Sequence, residues 1–541
     1  MNPATSAAPV PTRRRPGALR RALRVFVGAF LVLGSLGTAW AFASPVMAVP
    51  DEPAHAIHAA AVVRGQVPGE PTGEGGWTDV VVPEYVADSY EVRCFAFDPA
   101  VSGECQQDIS TDDAPTEVTT SAGSYDPLYY AVVGLPSLVL EGESSFYGMR
   151  IAGVLLCSAF LALSLVALDQ LRRRFFAVAA FVLSATPMLF FLVAGINPNG
   201  LEVVSCVMLF SWLALLVERL DEGVPAHRVA MVVVAAVTVA NTRSIGLLWL
   251  LVVVVALLAD RKVLPVLLRS VAFWVGTAVI GLGAAFSVLW VLSTASLSVT
   301  VPNPGVGTPF PQAFRLMLAA TFDNFQGYVG LFGWLDTPVP QTVVSVWTSV
   351  ILAAVVAGLV FGRAWSRRAL AIVLVAFVLV PPLVQGSTAV DYGFIWQARY
   401  ILALLCTVVV AAGIALDHAF PEAVRQVRVR RLVALVLGTL VVLQVYAFLW
   451  NLRRYVVGLP DGWSKMIVAP EWQPPGSWVL WAAIAAVVTA AGTVAAHRLG
   501  TSEPLVSART PPRSHEVTSV SDQDHLAQEP EEAPAQQRTR P

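Results

Sequence analysis

Residues 25–55 read VFVGAFLVLGSLGTAWAFASPVMAVPDEPAH. Positions 25–46 carry no charge, and a run of about 20 apolar residues is what a helix needs to cross a bilayer. Ahead of it stand Arg13, Arg14, Arg15, Arg20, Arg21 and Arg24; directly behind it come Asp51 and Glu52. A basic flank, an apolar span and an acidic exit describe a membrane anchor whose N-terminus stays on the cytoplasmic side. Ala41, Phe42 and Ala43 also fit a small-x-small cleavage site, but the apolar run exceeds the roughly 7–15 residues of a signal h-region, so an uncleaved anchor is expected.

The same pattern recurs along the chain. Of 541 residues 56% are hydrophobic and 13% charged, against roughly 45–50% and about 25% in soluble domains. A water-soluble globule is excluded. Twelve spans are expected, near 25–46, 149–168, 175–195, 201–217, 228–241, 244–259, 270–292, 341–362, 369–386, 400–416, 432–451 and 476–496. The fifth and sixth are short enough to be one broken or re-entrant element instead. With the N-terminus inside, 26 Lys and Arg fall on the cytoplasmic side and 9 on the other, in the sense that positive charge dictates. The expected class is therefore an all-α polytopic membrane protein of the plasma membrane. Its parts are a basic tail over 1–24, a transmembrane domain over 25–497 with exoplasmic loops at 47–148 and 293–340, and a polar, disordered cytoplasmic tail over 498–541.

The formal net charge of −2 conceals a segregation: 17 of the 37 acidic residues lie between Ala48 and Tyr147, where Arg64 and Arg93 are the only basic ones. Nucleic acid is not an expected partner, because no basic face accompanies a soluble module. Cys157, Cys206 and Cys406 sit within apolar spans, whereas Cys94 and Cys105 share the first outer loop, where a disulfide is expected to persist.

Transporters place ionisable groups or broken helices at mid-membrane. Here Asp169, Glu202, Glu218 and Asp417 all fall at span ends, and polar chemistry collects outside. Four outer features stand out. Asp51 and Glu52, with Pro53, His55 and His58, are read either as a helix start or as carboxylates able to act as a general base or hold a metal. A metal trio of Asp51, His55 and His58 shares one helical face but lacks a further His or Cys ligand in the outer loops, so a divalent metal is possible without being indicated. Tyr125 to Tyr130, including Tyr129, are read as interface aromatics or a substrate rim. The loop from Ser293 to Pro340 holds an aromatic stretch over 312–334 expected to lie in the interface plane, ending at Trp334 and Asp336, where Asp336 could cap a turn. Arg243 and Arg399 lie on the side positive charge avoids; each is read as snorkelling or as holding a phosphate, for which the guanidinium is well shaped.

Asp51-Glu52-Pro53 with His55, the Asp126-to-Tyr130 element, GWLDTPVP from Gly333 to Pro340, and QARY from Gln397 to Tyr400 resemble the landmarks of domain-of-unknown-function family 2142, grouped with the GT-C glycosyltransferases. The resemblance covers roughly residues 20 to 500. GWLDTPVP is its most specific string, and the chain departs from the usual pattern at Ala398 and Asp126. GT-C enzymes are multi-pass proteins that use polyprenyl-phosphate sugars, with an essential acid near the end of the first span. The resemblance thus implies a GT-C-like fold and Asp51 as base with Glu52 beside it; the reading of the outer residues adds His55, Arg399, Arg243, Tyr129, Trp334, Asp336, Gln397 and Tyr400 as substrate-binding candidates. The expected activity is transfer of a sugar from a polyprenyl phosphate to a cell-envelope glycan or other acceptor. A lipid-linked glycan flippase and a non-catalytic glycan-binding membrane protein are the alternatives.

Overall fold

The structure is a computed structural model and describes residues 16–73, 76–260, 262–294 and 303–502. These belong to one unit, Met1–Leu505; a second, Val506–Pro541, and with it nearly all of the expected disordered tail, lies outside the described residues.

In hydrocarbon, backbone groups have no water to bond, so apolar runs fold as helices. The helices that matter here are α1 (Pro16–Phe42), α2 (Glu52–Val62), α3 (Pro127–Val133), α4 (Gly142–Asp169), α5 (Phe175–Ser184), α6 (Pro187–Ala194), α7 (Pro198–Glu218), α8 (Ala226–Ala240), α9 (Gly246–Leu258), α10 (Val271–Thr294), α11 (Phe310–Asp323), α12 (Gln341–Phe361), α13 (Ala364–Tyr392), α14 (Leu402–Ala419), α15 (Val427–Val457) and α16 (Trp478–Thr501). Among the described residues nine helices are long and apolar enough to cross a membrane, and α5 with α6 makes a tenth if counted as one bent span. Each of the twelve expected spans finds a helix. The difference in count comes from α8 and α9, which at 15 and 13 residues are about 20–23 Å long and fall short of a hydrocarbon core of about 30 Å.

The break lies in the third span, where α5 and α6 meet at 60°. Pro187 opens α6 at a position where its missing N–H costs nothing, and the Thr186 side chain accepts from the Leu189 N–H at 3.3 Å as its cap. Pro381 and Pro382, by contrast, sit inside an unbroken α13.

α7 is wholly enclosed by protein over its most apolar window, whereas 11% of the corresponding window of α10 is buried, so α7 lies at the centre of the bundle and α10 at its edge. α4 packs on both α1 and α7, and α14 on α5, α7, α12 and α13.

Between α1 and α4 the chain builds a cap on one end of the bundle. Strands β1 (Glu70–Pro71), β2 (Thr78–Pro83) and β3 (Pro115–Thr120) form an antiparallel sheet in the order β1-β2-β3. All of α2 is buried beneath it. Cys94 and Cys105 form the expected disulfide, with Cα atoms 6.1 Å apart. The aromatic stretch over 312–334 is not one helix: α11 ends at Asp323, a short helix follows over Phe325–Val329, and the Gly333–Asp336 turn joins β4 (Leu331–Phe332) to β5 (Thr337–Pro338).

Candidate functional site

Asp51 stands immediately before α2, the usual place for a helix cap, yet its side chain makes no cap hydrogen bond. Its backbone is left-handed at φ 64°, a conformation Asp tolerates better than most residues. The carboxylate instead accepts from Arg399 Nη2 at 2.5 Å. The Asp51 side chain is 52% exposed and that of Arg399 3%, so the pair joins an accessible carboxylate to a sunken cation. Arg399 Nε and Nη1 are buried and, among the described residues, have no hydrogen-bond partner. Two N–H groups in such a place are costly unless something accepts from them.

Arg243 completes the cluster. It lies in the turn between α8 and α9 and donates to Asn199 Oδ1 at 2.5 Å and Glu202 Oε2 at 3.2 Å, both near the start of α7. Both guanidinium groups lean on the Tyr400 ring, 4.6 Å away for Arg243 and 5.4 Å for Arg399. His55 Nδ1 shares a hydrogen bond with the Tyr130 hydroxyl at 2.8 Å. Burial above all, reinforced by Arg399 and Arg243 and opposed by Asp51, holds His55 down to about 3, so the ring is neutral at physiological pH. His58, its Nε2 3.3 Å from the Tyr125 carbonyl, is lowered by burial to about 4. The two histidines are thus engaged by tyrosines rather than gathered with Asp51. Among the described residues no group of three or more His, Cys, Asp or Glu side chains is placed to hold a metal.

Glu52 is in a different position from its neighbour. It is fully buried and accepts from Arg150 Nε and Nη2, both at 2.7 Å, from Ile196 N at 3.0 Å and from Val49 N at 3.2 Å. Arg150 spends its remaining donors on the carbonyls of Ala41, Ser44 and Pro45. Both oxygens of Glu52 are occupied, so that Glu52, with Arg150, ties the end of α1 to the start of α2.

The family described as predicted membrane protein, DUF2142, matches residues 35–408, a range that takes in Asp51, Arg243 and Arg399. The chain belongs to the DUF2142 family. No curated protein matches it. Among solved structures, this DUF2142 protein is similar to ArnT from Cupriavidus metallidurans bound to undecaprenyl phosphate, at a TM-score of 0.42 and 14% identity over 89% of this chain and 76% of that one. So distant a likeness does not extend to substrate or mechanism.

The other sequence candidates in this DUF2142 protein divide. Tyr129 is buried and its hydroxyl accepts from Asn197 N at 2.9 Å, so it supports the entry to α7 instead of forming a rim. Asp126 is buried with Oδ1 unpartnered among the described residues, and burial raises it to about 7. Trp334 and Asp336 are drawn to neighbouring structure: Trp334 Nε1 donates to Met47 O at 3.0 Å, and Asp336 lies 3.5 Å from Arg454 and accepts from Thr337 Oγ1 at 2.8 Å. Gln397, just ahead of Arg399, keeps a buried Oε1 with no partner among the described residues. Residue patterns missed Arg150 as the partner of Glu52 and Asn199 as a partner of Arg243; the one available signal was that Arg150 is among the arginines on the disfavoured side.

Proposed function

We propose that this DUF2142 protein is an exoplasmic-face, GT-C-type glycosyltransferase that moves a sugar from a polyprenyl-phosphate donor to a hydroxyl of a cell-envelope glycan or other acceptor. The observation that carries the proposal is the Asp51–Arg399 pair: an accessible carboxylate joined to a sunken guanidinium with two unused donors. The donor class follows from the family resemblance, and the pair supplies the two functions that such a transfer needs.

Asp51 takes the proton of the acceptor hydroxyl as its oxygen bonds to the anomeric carbon. The bond from that carbon to the phosphate oxygen breaks, and its electron pair leaves with the polyprenyl phosphate. The leaving group needs charge stabilisation and no proton, which Arg399 supplies through Nε and Nη1, with Arg243 beside it. Attack and departure on opposite faces invert the anomeric centre. Glu52, through Arg150, keeps the carboxylate in place.

The test is sugar transfer from labelled polyprenyl-phosphate sugars in membranes holding wild type, Asp51→Asn or Arg399→Ala. Loss of the base lowers the rate by about 10²–10⁴. Full transfer in a folded Asp51→Asn protein would remove the base assignment, and unchanged donor binding in Arg399→Ala the phosphate role.

A further inference from the structure

A second patch, which the transfer step does not use, joins the first outer loop to the Gly333–Asp336 turn. The Gly333–Asp336 turn is pinned to the residues just after α1 by the Trp334 hydrogen bond to Met47 O. The Arg93 guanidinium lies between two rings, 5.3 Å from that of Tyr90 and 5.1 Å from that of Trp334. Phe97, inside the loop closed by the Cys94–Cys105 disulfide, sets its ring 5.2 Å from Trp334 and is 66% exposed.

The backbone here is under strain. Met47, Asp51, Phe97 and Leu335 all have φ between 64° and 66°, four of the six non-glycine residues with positive φ among those described. Each such residue costs on the order of 1–3 kcal/mol, and strain of this kind gathers where side chains are held for binding. Phe97, covered on one side by Trp334 and otherwise exposed, recovers little of that cost through burial.

Arg93 is also unspent. Of the two basic residues in the acidic stretch before α4, Arg64 donates to Ala60 O, Ser137 Oγ and Ser137 O. Among the described residues Arg93 has no carboxylate partner, and its Nε is buried without a hydrogen bond. The patch is tied to the segment that leads into the proposed base, because Trp334 donates to Met47 O, four residues ahead of Asp51.

We propose that Tyr90, Arg93, Phe97 and Trp334 form an acceptor subsite for a glycan whose reacting end bears one carboxylate or phosphate. The anion lies on Arg93, the apolar face of the pyranose lies against Phe97 and Trp334, and a hydroxyl is thereby presented towards Asp51. The word acceptor rests on the glycosyltransferase proposal; binding of the ligand does not.

The full chain in phosphatidylcholine nanodiscs is titrated with cellobiouronic acid, which carries one carboxylate, and with neutral cellobiose, read by tryptophan fluorescence and saturation-transfer NMR. Cellobiouronic acid binds about tenfold more tightly than cellobiose, and Arg93→Gln abolishes that difference, as expected for one charge-assisted hydrogen bond. Phe97→Ala, at an exposed side chain, weakens both sugars. Asp51→Asn keeps the binding while losing transfer, which separates this subsite from the catalytic assignment. Equal affinity for the two sugars, or wild-type affinities in Arg93→Gln, overturns the proposal. So does loss of cellobiouronic acid binding when phosphatidylglycerol is added, which would make a lipid headgroup the ligand.

Discussion

At the scale of single residues, Asp51 and Glu52 are neighbours in sequence with opposite energetics. Glu52 and Arg150 form a pair whose side chains are 0% and 1% exposed, and removing one partner of such a pair strands the other charge at a cost of about 3–5 kcal/mol. Glu52→Gln is therefore expected to lower the melting temperature markedly in detergent. Asp51→Asn, at a side chain 52% exposed, keeps an oxygen that can accept from Arg399, and Asn suits the left-handed backbone there, so it is expected to cost less stability than Glu52→Gln. Equal melting temperatures for the two variants would refute the division of labour. The acidity of the pair and its place after the first span are legible in the sequence. Which carboxylate is sealed is not, because that depends on Arg150, Ile196 and the end of α1 converging on Glu52, and no local spacing encodes a contact across 98 or 144 residues.

At the scale of elements, close approach between helices sets tolerance. A Cβ at Gly413 of α14 would stand 2.5 Å from Ala180 Cβ and 2.6 Å from Phe176 O of α5. Gly413→Ala must push the helices apart, which is expected to cost about 1–3 kcal/mol. Gly438 of α15 has nothing within 4 Å of the same added atom, so Gly438→Ala is expected to leave stability unchanged or raise it by up to about 1 kcal/mol through its helix propensity. Thermal unfolding of the two variants side by side checks this; a stable Gly413→Ala would mean that α5 and α14 pack more loosely. The spans themselves are readable because apolar length is a property of the local sequence. The break at Pro187 is less so: Pro187 and the Pro381–Pro382 pair look alike as prolines in apolar runs, and only the first has a threonine cap and a following helix that turns away.

At the scale of the whole molecule, the sorting of charge predicts a direction. Single cysteines at Val139 and Val468, which are 81% and 83% exposed, are expected to react with a membrane-impermeant maleimide added outside intact cells. A cysteine at Glu222, in the turn after α7, is expected to react only after the membrane is opened. The reverse pattern would invert the protein and remove Asp51 from the outer face. An expected orientation can be drawn from the sequence because it is a sum over many arginines; the meeting of Asp51, Arg243 and Arg399 cannot, because it depends on how α2, the α8–α9 turn and the approach to α14 pack together. That meeting also has a history. Asp51 and Arg399 are 348 residues apart, so at about 5–20 residues per second the carboxylate is made roughly 17–70 s before its cation. Glu52 meets Arg150 much earlier, after 98 residues. During synthesis the scaffold around the base can therefore close while the base itself still waits. A ribosome that stops before residue 399 releases a chain that holds Asp51 and the Glu52–Arg150 pair but lacks the guanidinium that Asp51 pairs with.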